Sequence, residues 1–378
     1  MPAIAVVVPF QDRLPLLNEA LASLQSQTLT HWEALLVNDR SHSATLAGLG
    51  ALVAGESRFR LLANSQARSA GACGARNTGL CAARAPLVVF LDSDDLLQPG
   101  ALAGRVAAMA ASPDLDYLVH DGEVFDNEPG DVGVSWNTLD AGDPLDRFLA
   151  ADTPWQTSGP TWRAAALARL GPWPERAASW QDWEYHIRAL CSGLRYGLVA
   201  EQDYSHRRGH AQAMRSRHND LPVLVSRADT FARVAAALKA GGYATHARQQ
   251  LLAGLCLRFA LKCGRLHGDL PAALRILAPV SAAALADAAW LATAREAVVD
   301  AAAGRNAGEL DASVTGAFPV LQGLCNSAGR ERARNAPHLS TQTGTGGLAV
   351  ISGKQLAFKD VEGVKRRRFA RNDPRNDQ

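Results

Sequence analysis

The sequence predicts an α/β protein, a mostly parallel sheet flanked by helices, followed by a C-terminal helical region and a basic tail. Two observations carry this. Over the first hundred residues, wholly apolar, β-branched runs of about five residues alternate with stretches of helical periodicity, the mark of strands buried on both faces. Each run is also followed by a polar, often acidic turn, and right-handed crossovers between parallel strands gather such turns along one edge.

Residues 4–8 (IAVVV) stop at Pro9 and predict the first strand, and 14–27 (LPLLNEALASLQSQ) place apolar side chains at helical spacing. Residues 33–37 (EALLV) predict a second strand, closed by the turn 38–43 (NDRSHS), and 44–54 a second helix. Residues 59–63 (FRLLA) predict a third strand, the small-residue stretch 69–84 a third helix, and 86–91 (PLVVFL) a fourth strand. Beyond residue 115 the alternation loosens. Residues 116–125 read as strand, 143–150 as a short helix, 153–162 as a loop or edge strand, and 163–171 as a helix closed by Gly171 and Pro172. A further helix is expected over 179–193 and a strand over 194–200. Residues 222–304 are rich in Ala and Leu with helical periodicity throughout.

At 378 residues the chain exceeds one small domain. It divides into an α/β domain over 1–215, a helical accessory region over 216–305 and a low-complexity basic tail over 306–378, expected to be disordered. A net charge of +2 excludes a polycation that binds nucleic acid and an acidic disordered chain. Residues 330–378 nevertheless hold 11 Lys or Arg against 5 Asp or Glu, including the run Lys365 to Arg368. That excess makes the tail a candidate contact for an anionic membrane surface, where each basic residue contributes about 1 kcal/mol. Cys73, Cys81, Cys191, Cys256, Cys263 and Cys325 form no CxxC pair and no Cys/His metal spacing, which predicts free thiols and no structural zinc. The N-terminus lacks the basic leader of a signal peptide, and no stretch reaches the ~18 uncharged apolar residues of a membrane span. A soluble, cytoplasmic chain is expected, peripheral to the membrane at most.

The acidic turns carry the chemistry. Asp92, Asp94 and Asp95 follow the fourth strand within four residues. Such a cluster is tolerated when solvated or when a cation neutralises it. Mg²⁺ or Mn²⁺ takes one or two carboxylates and completes its shell with water and phosphate oxygens. The competing reading is that Asp94 or Asp95 caps the helix entered at Pro99-Gly100. Asp39 sits in the turn after the second strand, either as a turn former or as an acceptor for a nucleobase or sugar donor. Residues 70–79 lack the endings of a P-loop or dinucleotide loop, while Arg76 and Asn77 within them remain candidates for holding a diphosphate or base. Asp182 lies three residues after Ser179, the spacing of a capping box; flanked by Trp180 and Trp183, it also has the setting that raises a carboxylate pKa toward that of a general base. His206, Arg207, Arg208 and His210 form a basic cluster in which either histidine could complete a cation's shell or contact phosphate.

The order of these pieces, AVVVPFQDRLPLLNEALASLQSQTLTHWEALLVNDRS, then ARNTGLCAARAPLVVFLDSDDLLQPGAL, then SWQDWEYHIRALCSGLRYGLV, resembles glycosyltransferase family 2 over about residues 3–210. The resemblance implies the GT-A fold and transfer of a sugar from a nucleotide-diphosphate sugar with inversion at the anomeric carbon. It implies that Pro9 and Asp39 line the nucleobase pocket, with Phe10 and Asp12 beside it, and that Arg76 contacts the nucleotide. Asp92 and Asp94 match the family's Asp-x-Asp, with Asp94 the favoured ligand of Mn²⁺ or Mg²⁺ and Asp92 near the ribose or metal. Asp182 matches the acidic residue taken as catalytic base, and His206 or His210 a further metal ligand. Two positions depart from the pattern: Gln181 stands where Glu is usual and Asn38 where Asp is frequent.

The implied reaction is metal-assisted transfer from a UDP-sugar to a saccharide or lipid-linked hydroxyl acceptor, in polysaccharide or glycolipid synthesis of the cell envelope. Two alternatives stay open. A sugar nucleotidyltransferase shares the sheet and acidic ligands, although the Pro-Phe-Gln-Asp turn after the first strand is not its Gly-rich basic loop. A catalytically inactive, transferase-like binding or scaffold protein is compatible with Gln181. The sugar, the acceptor and linkage, the nucleotide and the oligomeric state have no signal in the sequence.

Overall fold

The computed structural model describes residues 1–208 and 218–305, together with the backbone of two strands at 348–352 and 355–359. Its first strands are β1 (Ile4–Phe10), β2 (Trp32–Asn38), β3 (Phe59–Ala63) and β4 (Leu87–Phe90), separated by α1 (Leu14–Gln25), α2 (Ser43–Ala54) and α3 (Ala72–Ala82). There follow β5 (Leu96–Leu97), α4 (Ala101–Ala111), β6 (Tyr117–Phe125), β7 (Val134–Ser135), α5 (Pro144–Leu149), β8 (Pro160–Arg163), α6 (Ala164–Leu170), α7 (Gln181–Cys191) and β9 (Tyr196–Arg207). Four helices complete the helical region: α8 (Leu221–Ala240), α9 (His246–His267), α10 (Leu270–Ala282) and α11 (Ala288–Ala302). The last two strands are β10 (Leu348–Ser352) and β11 (Gln355–Lys359).

The main sheet runs β11-β10-β9-β6-β8-β4-β1-β2-β3. β1 pairs parallel with both β2 and β4, and β2 parallel with β3. The chain therefore leaves β1 toward one side of the sheet and returns as β4 on the other. Between those two strands the connections diverge, opening a crevice beyond the strand C-termini where ligands of such sheets bind. β8 lies antiparallel between β4 and β6, so the segment expected as a loop or edge contributes an interior strand. Its Thr161 and Trp162 are fully buried, which the sequence pattern, broken by Gly159 and Pro160, does not announce. β9 runs to Arg207, well past the strand expected over 194–200. β10 pairs antiparallel with the outer edge of β9 and with β11. These two strands fall within 306–378, the segment expected as a low-complexity basic tail, and lie against the edge of β9, whose backbone donors and acceptors a further strand satisfies. The rest of that segment, with its basic run, lies outside the described residues.

The core has two faces, divided by the alternation of β1. Ile4, Val6, Val8 and Phe10 pack with Leu17, Leu21 and Leu24 of α1 and with Leu102 and Met109 of α4. Val7 turns to the opposite face, where the apolar cluster continues without a break through α7 into Phe231 of α8, Leu255 and Phe259 of α9, Ile276 of α10 and Val298 of α11. The helical region thus shares a core with the sheet. Among the described residues no helix is long and apolar enough to cross a membrane.

α3 approaches the sheet closely because Gly79 has no side chain. A Cβ there would stand 2.4 Å from Val7 Cγ1 and 3.1 Å from Val37 Cγ2. In an exposed helix Gly→Ala gains up to about 1 kcal/mol from propensity, whereas overpacking a buried contact costs about 1–3 kcal/mol. Gly79→Ala is therefore expected to destabilise the protein, read as a lower midpoint in urea unfolding; a raised midpoint would show that α3 can shift to make room.

Candidate active site

The crevice at the switch between β1 and β4 is a cavity of about 340 Å³, within the roughly 300–1,000 Å³ range of small-ligand sites. Pro9 at the end of β1 lines it, with Asp92, Ser93 and Asp94 after β4 and Arg76 from α3. Gln156 and Thr157 of the loop before β8 also face it, as do Trp180 to Trp183 at the start of α7, and Arg258 and Phe259 of α9.

On the sheet side, Arg76 is only 3% exposed, and its Nη2 donates to Asp92 Oδ1 at 2.5 Å. Its Cζ lies 4.6 Å from the ring centre of Trp173. Nε and Nη1 of Arg76 are buried without a hydrogen-bond partner. Arg13 donates to Asp94 Oδ2 at 3.0 Å. This contact depends on the turn after β1, where Asp12 and Arg13 both have φ of +53°. Side chains rarely adopt that region, and strained backbone of this kind concentrates at functional sites. Of the six described non-glycine residues with positive φ, Arg13, Ala151 and Trp180 line the cavity.

The three aspartates after β4 divide into two kinds. Asp92 and Asp94 face the cavity, each ion-paired to an arginine. Asp95 is 1% exposed and turned inward, accepting from Ser158 Oγ at 3.0 Å and from the Arg207 backbone N–H at 3.1 Å, with His206 Nδ1 3.0 Å from its Oδ1. Burial pushes the Asp95 carboxyl up, and His206 pulls it partly back. Neither Asp94 nor Asp95 caps α4, whose N-cap is Gly100. Among the described residues no group of three or more His, Cys, Asp or Glu side chains is arranged to hold a metal. The donor set facing the cavity is Asp92 and Asp94, two hard carboxylates, which fits a cation whose remaining ligands are water and phosphate oxygens. His206 lines the cavity with its Nδ1 turned to Asp95 and its ring edge-on to Trp136 at 5.0 Å. His210 lies outside the described residues.

The remaining nucleotide-site candidates sit further back. Phe10 is 2% exposed and packs in the core, outside the cavity lining. Asp12 holds the turn before α2: Oδ1 accepts from the His42 N–H at 2.8 Å and Thr45 Oγ1 at 2.9 Å, and Oδ2 lies 2.8 Å from His42 Nδ1. The His42 N–H foremost holds this carboxyl below the ordinary range. Asp39 is 4% exposed, with Oδ1 accepting from Asn64 Nδ2 at 2.8 Å and Oδ2 from the Gly71 N–H at 2.6 Å. Both of its oxygens therefore brace the loop that leads into α3. Asn77 is likewise engaged, bonded to Trp173 and Glu175.

Asp182 comes from the opposite wall, on the first turn of α7. The expected capping box does not form: the helix begins at Gln181, its N-cap Trp180 has φ of +60°, and no side chain caps it. Ser179 instead accepts from Arg227 Nε at 3.3 Å. Asp182 keeps a partly exposed face toward the cavity. Burial of the atoms behind it raises its carboxyl pKa above the ordinary value; the Trp183 N–H and the Arg76 guanidinium pull down, while Asp92 pushes up. Arg13, Trp136, Arg258 and Phe259 line the same space without having been singled out from the sequence. The αL conformation that aims Arg13 has no Gly or Asn to betray it. The two α9 residues sit more than seventy positions beyond Asp182, in an otherwise ordinary Leu-rich helix.

Comparison with known proteins agrees with this architecture. Residues 5–147 match the family described as Glycosyl transferase family 2. The chain is 40% identical over 128 residues to the O-antigen biosynthesis protein RfbC of Myxococcus xanthus, covering 33% of this chain and 10% of that one. It is 29% identical over 124 residues to the Escherichia coli UDP-Glc:alpha-D-GlcNAc-diphosphoundecaprenol beta-1,3-glucosyltransferase WfgD, covering 33% of this chain and 47% of that one. The chain thus spans a tenth of one and just under half of the other of these curated relatives. The crystal structure of S. aureus TarS 1-349 in complex with UDP superposes with a TM-score of 0.57 at 17% identity, over 95% of this chain and 98% of that one, a likeness of fold. The parallel β1–β4 core and the acidic turn after β4 lie within the residues that match glycosyl transferase family 2.

Proposed function

We propose that the protein is an inverting glycosyltransferase that moves a sugar from a UDP-sugar to a hydroxyl of a saccharide or lipid-linked acceptor, in the synthesis of cell-envelope polysaccharide or glycolipid. The observation that supports this most directly is the placement of Asp182. A partly desolvated carboxylate from α7 shares one cavity with Asp92 and Asp94, which come from the far side of the sheet's switch point. WfgD, by its name, uses UDP-Glc and a diphosphoundecaprenol-linked acceptor.

In this reading the donor diphosphate lies over the β4 turn, oriented by Arg76 and Arg13. Asp94 with Asp92 would hold a Mg²⁺ or Mn²⁺ ion, which when bound supplies electrostatic stabilisation of the departing diphosphate. Asp182 accepts the proton of the acceptor hydroxyl. The acceptor oxygen then forms a bond to the anomeric carbon on the face opposite the diphosphate as the bond to the leaving oxygen breaks. A single displacement inverts the configuration. The elevated pKa makes Asp182 a stronger base than an exposed aspartate, which suits general-base work.

Asp182→Asn is expected to lower kcat by roughly 10²–10⁴-fold while donor affinity, measured by titration with UDP, stays unchanged; parallel loss of affinity would mark Asp182 as a purely structural residue. Because the folded pKa lies above the unfolded one, the native state holds this proton more tightly. Its contribution to stability is therefore present at low pH and is lost as pH rises through the shifted value. Asp182→Asn removes that loss, so its melting temperature at pH 7 should equal or exceed that of the wild type.

Arg76→Lys tests the other wall. A lysine lacks both the planar group that lies against Trp173 and the forked donors. UDP affinity is expected to fall roughly tenfold, the loss of one charge-assisted hydrogen bond; unchanged affinity would remove Arg76 from the donor site.

A further inference from the structure

α7 separates the catalytic cavity from a second one. Asp182 and Glu184 stand two residues apart on it, about 200° around the helix, so Asp182 lines the first cavity and Glu184 the second. The second holds about 860 Å³, inside the roughly 300–1,000 Å³ range of small-ligand sites. Among the described residues the two cavities share no lining residue. The second opens between α7, the segment that precedes it, and α8. Space is left there because Ala236, Ala237 and Ala240 are among the α8 residues that line it.

Pro172, Pro174 and Tyr243 make much of this wall apolar, and its charged residues are Glu184, Arg188 and Arg233. Glu184 is 2% exposed. Its Oε1 accepts from Arg188 Nε at 3.2 Å. Arg233 Nε stops 3.7 Å from the same oxygen, beyond hydrogen-bond reach. Glu184 Oε2 and Arg233 Nε are both buried without a hydrogen-bond partner. Arg188 is otherwise committed, its Nη1 and Nη2 donating to the carbonyls of Leu170 and Pro172 at 2.6 and 2.7 Å. A buried acceptor and a buried donor left unmatched are costly. Here both belong to one loosely closed ion pair on the wall of a cavity.

We infer that this cavity is a second binding site, for a neutral saccharide, one of whose hydroxyls enters between Glu184 and Arg233. A hydroxyl donates and accepts at once, so a single group satisfies both the carboxylate Oε2 and the guanidinium Nε. A carboxylate or a fully ionised phosphate has no proton to give Oε2, and an ammonium has no lone pair to give Nε. The C–H face of the sugar ring packs on the prolines and Tyr243. Arg233 is the member that moves to admit the hydroxyl. Its side chain is 34% exposed, and its Nη2 bonds within its own helix, to Thr230 Oγ1 at 3.1 Å. Nothing in this chemistry depends on the glycosyltransferase reading.

The test records saturation-transfer NMR on the full chain with methyl glucoside, methyl galactoside, N-acetylglucosamine and maltose, each at millimolar concentration. UDP is present to occupy the catalytic cleft. At least one of these sugars should bind the wild type. Arg233→Lys keeps the charge and loses Nε, and should weaken that binding roughly tenfold, the loss of one charge-assisted hydrogen bond. Ala237→Leu, half-buried on α8, fills the space and should weaken it at least as much. Melting temperatures confirm that both variants fold. Lys239→Ala, on the same helix and outside this cavity, should leave the binding unchanged. Absence of binding by all the sugars overturns the inference. So does binding that neither Arg233→Lys nor Ala237→Leu weakens, which places the sugar elsewhere. UDP is titrated separately: failure to bind UDP with sugar binding intact would sink the transferase reading and leave the saccharide site standing.

Discussion

The ion pair of Arg76 and Asp92 sets the geometry of everything around the cleft. It joins α3 to the turn after β4, and the ring of Trp173 closes over the guanidinium from the segment leading to α7. Taking an arginine out of water is expensive, and one carboxylate offsets the cost only in part. The remaining Arg76 donors, Nε and Nη1, are buried and unused. Such a site is preorganised: its donors are fixed before any ligand arrives, so they need no reorganisation when negative charge develops nearby. The close approach of α3 to β1 at Gly79, and the bracing of the preceding loop by Asp39, both hold this arginine in position.

α7 couples that wall to the helical region. Trp183 anchors it by donating from Nε1 to the Phe148 carbonyl at 2.6 Å, and Trp180 meets Phe259 edge-on at 5.0 Å. Phe231 of α8 lies edge-on to both tryptophans. The position of Asp182 therefore depends on helices that lie outside the family match. The unbroken apolar cluster running from Val7 to Ala301 says the same at larger scale. The helical region is a structural part of the cleft.

The strands of the first hundred residues were legible because burial on both faces leaves an uninterrupted apolar run, and the turns that follow them are where the sheet's edge collects its polar groups. Asp92, Asp94, Arg76, Pro9 and Asp182 were legible for that reason and through the family resemblance, and all five face one cavity. β8 was obscured by its Gly-Pro start, and the capping box at Ser179 does not form because α7 begins at Gln181 with Trp180 as its N-cap, leaving the Ser179 hydroxyl to accept from Arg227. Asp12 and Asp39 look alike in sequence to any catalytic turn aspartate. Only the coordinates show that their oxygens are committed to His42, Thr45, Asn64 and Gly71. Arg13 and Arg258 were invisible for a different reason: one depends on a left-handed turn without glycine, the other on tertiary packing between distant helices.

The electrostatics of Asp182 follow from which pairings come first. The Arg76 guanidinium lowers its pKa, and the Asp92 carboxylate raises it. Those two are bonded to each other at 2.5 Å, so Asp182 faces an ion pair whose two charges act on it in opposite directions. The largest influence is desolvation, which favours the protonated form and is opposed first by the Trp183 N–H. Were Arg76 instead paired with Asp182, the carboxylate would be stabilised as an ion and become a weaker base. By directing Arg76 to Asp92, the fold keeps the carboxylate on α7 basic while placing a cation within its field. The two walls are thus linked through a single guanidinium, and any ligand that draws Asp92 away from Arg76 would alter the proton affinity of Asp182 across the cleft.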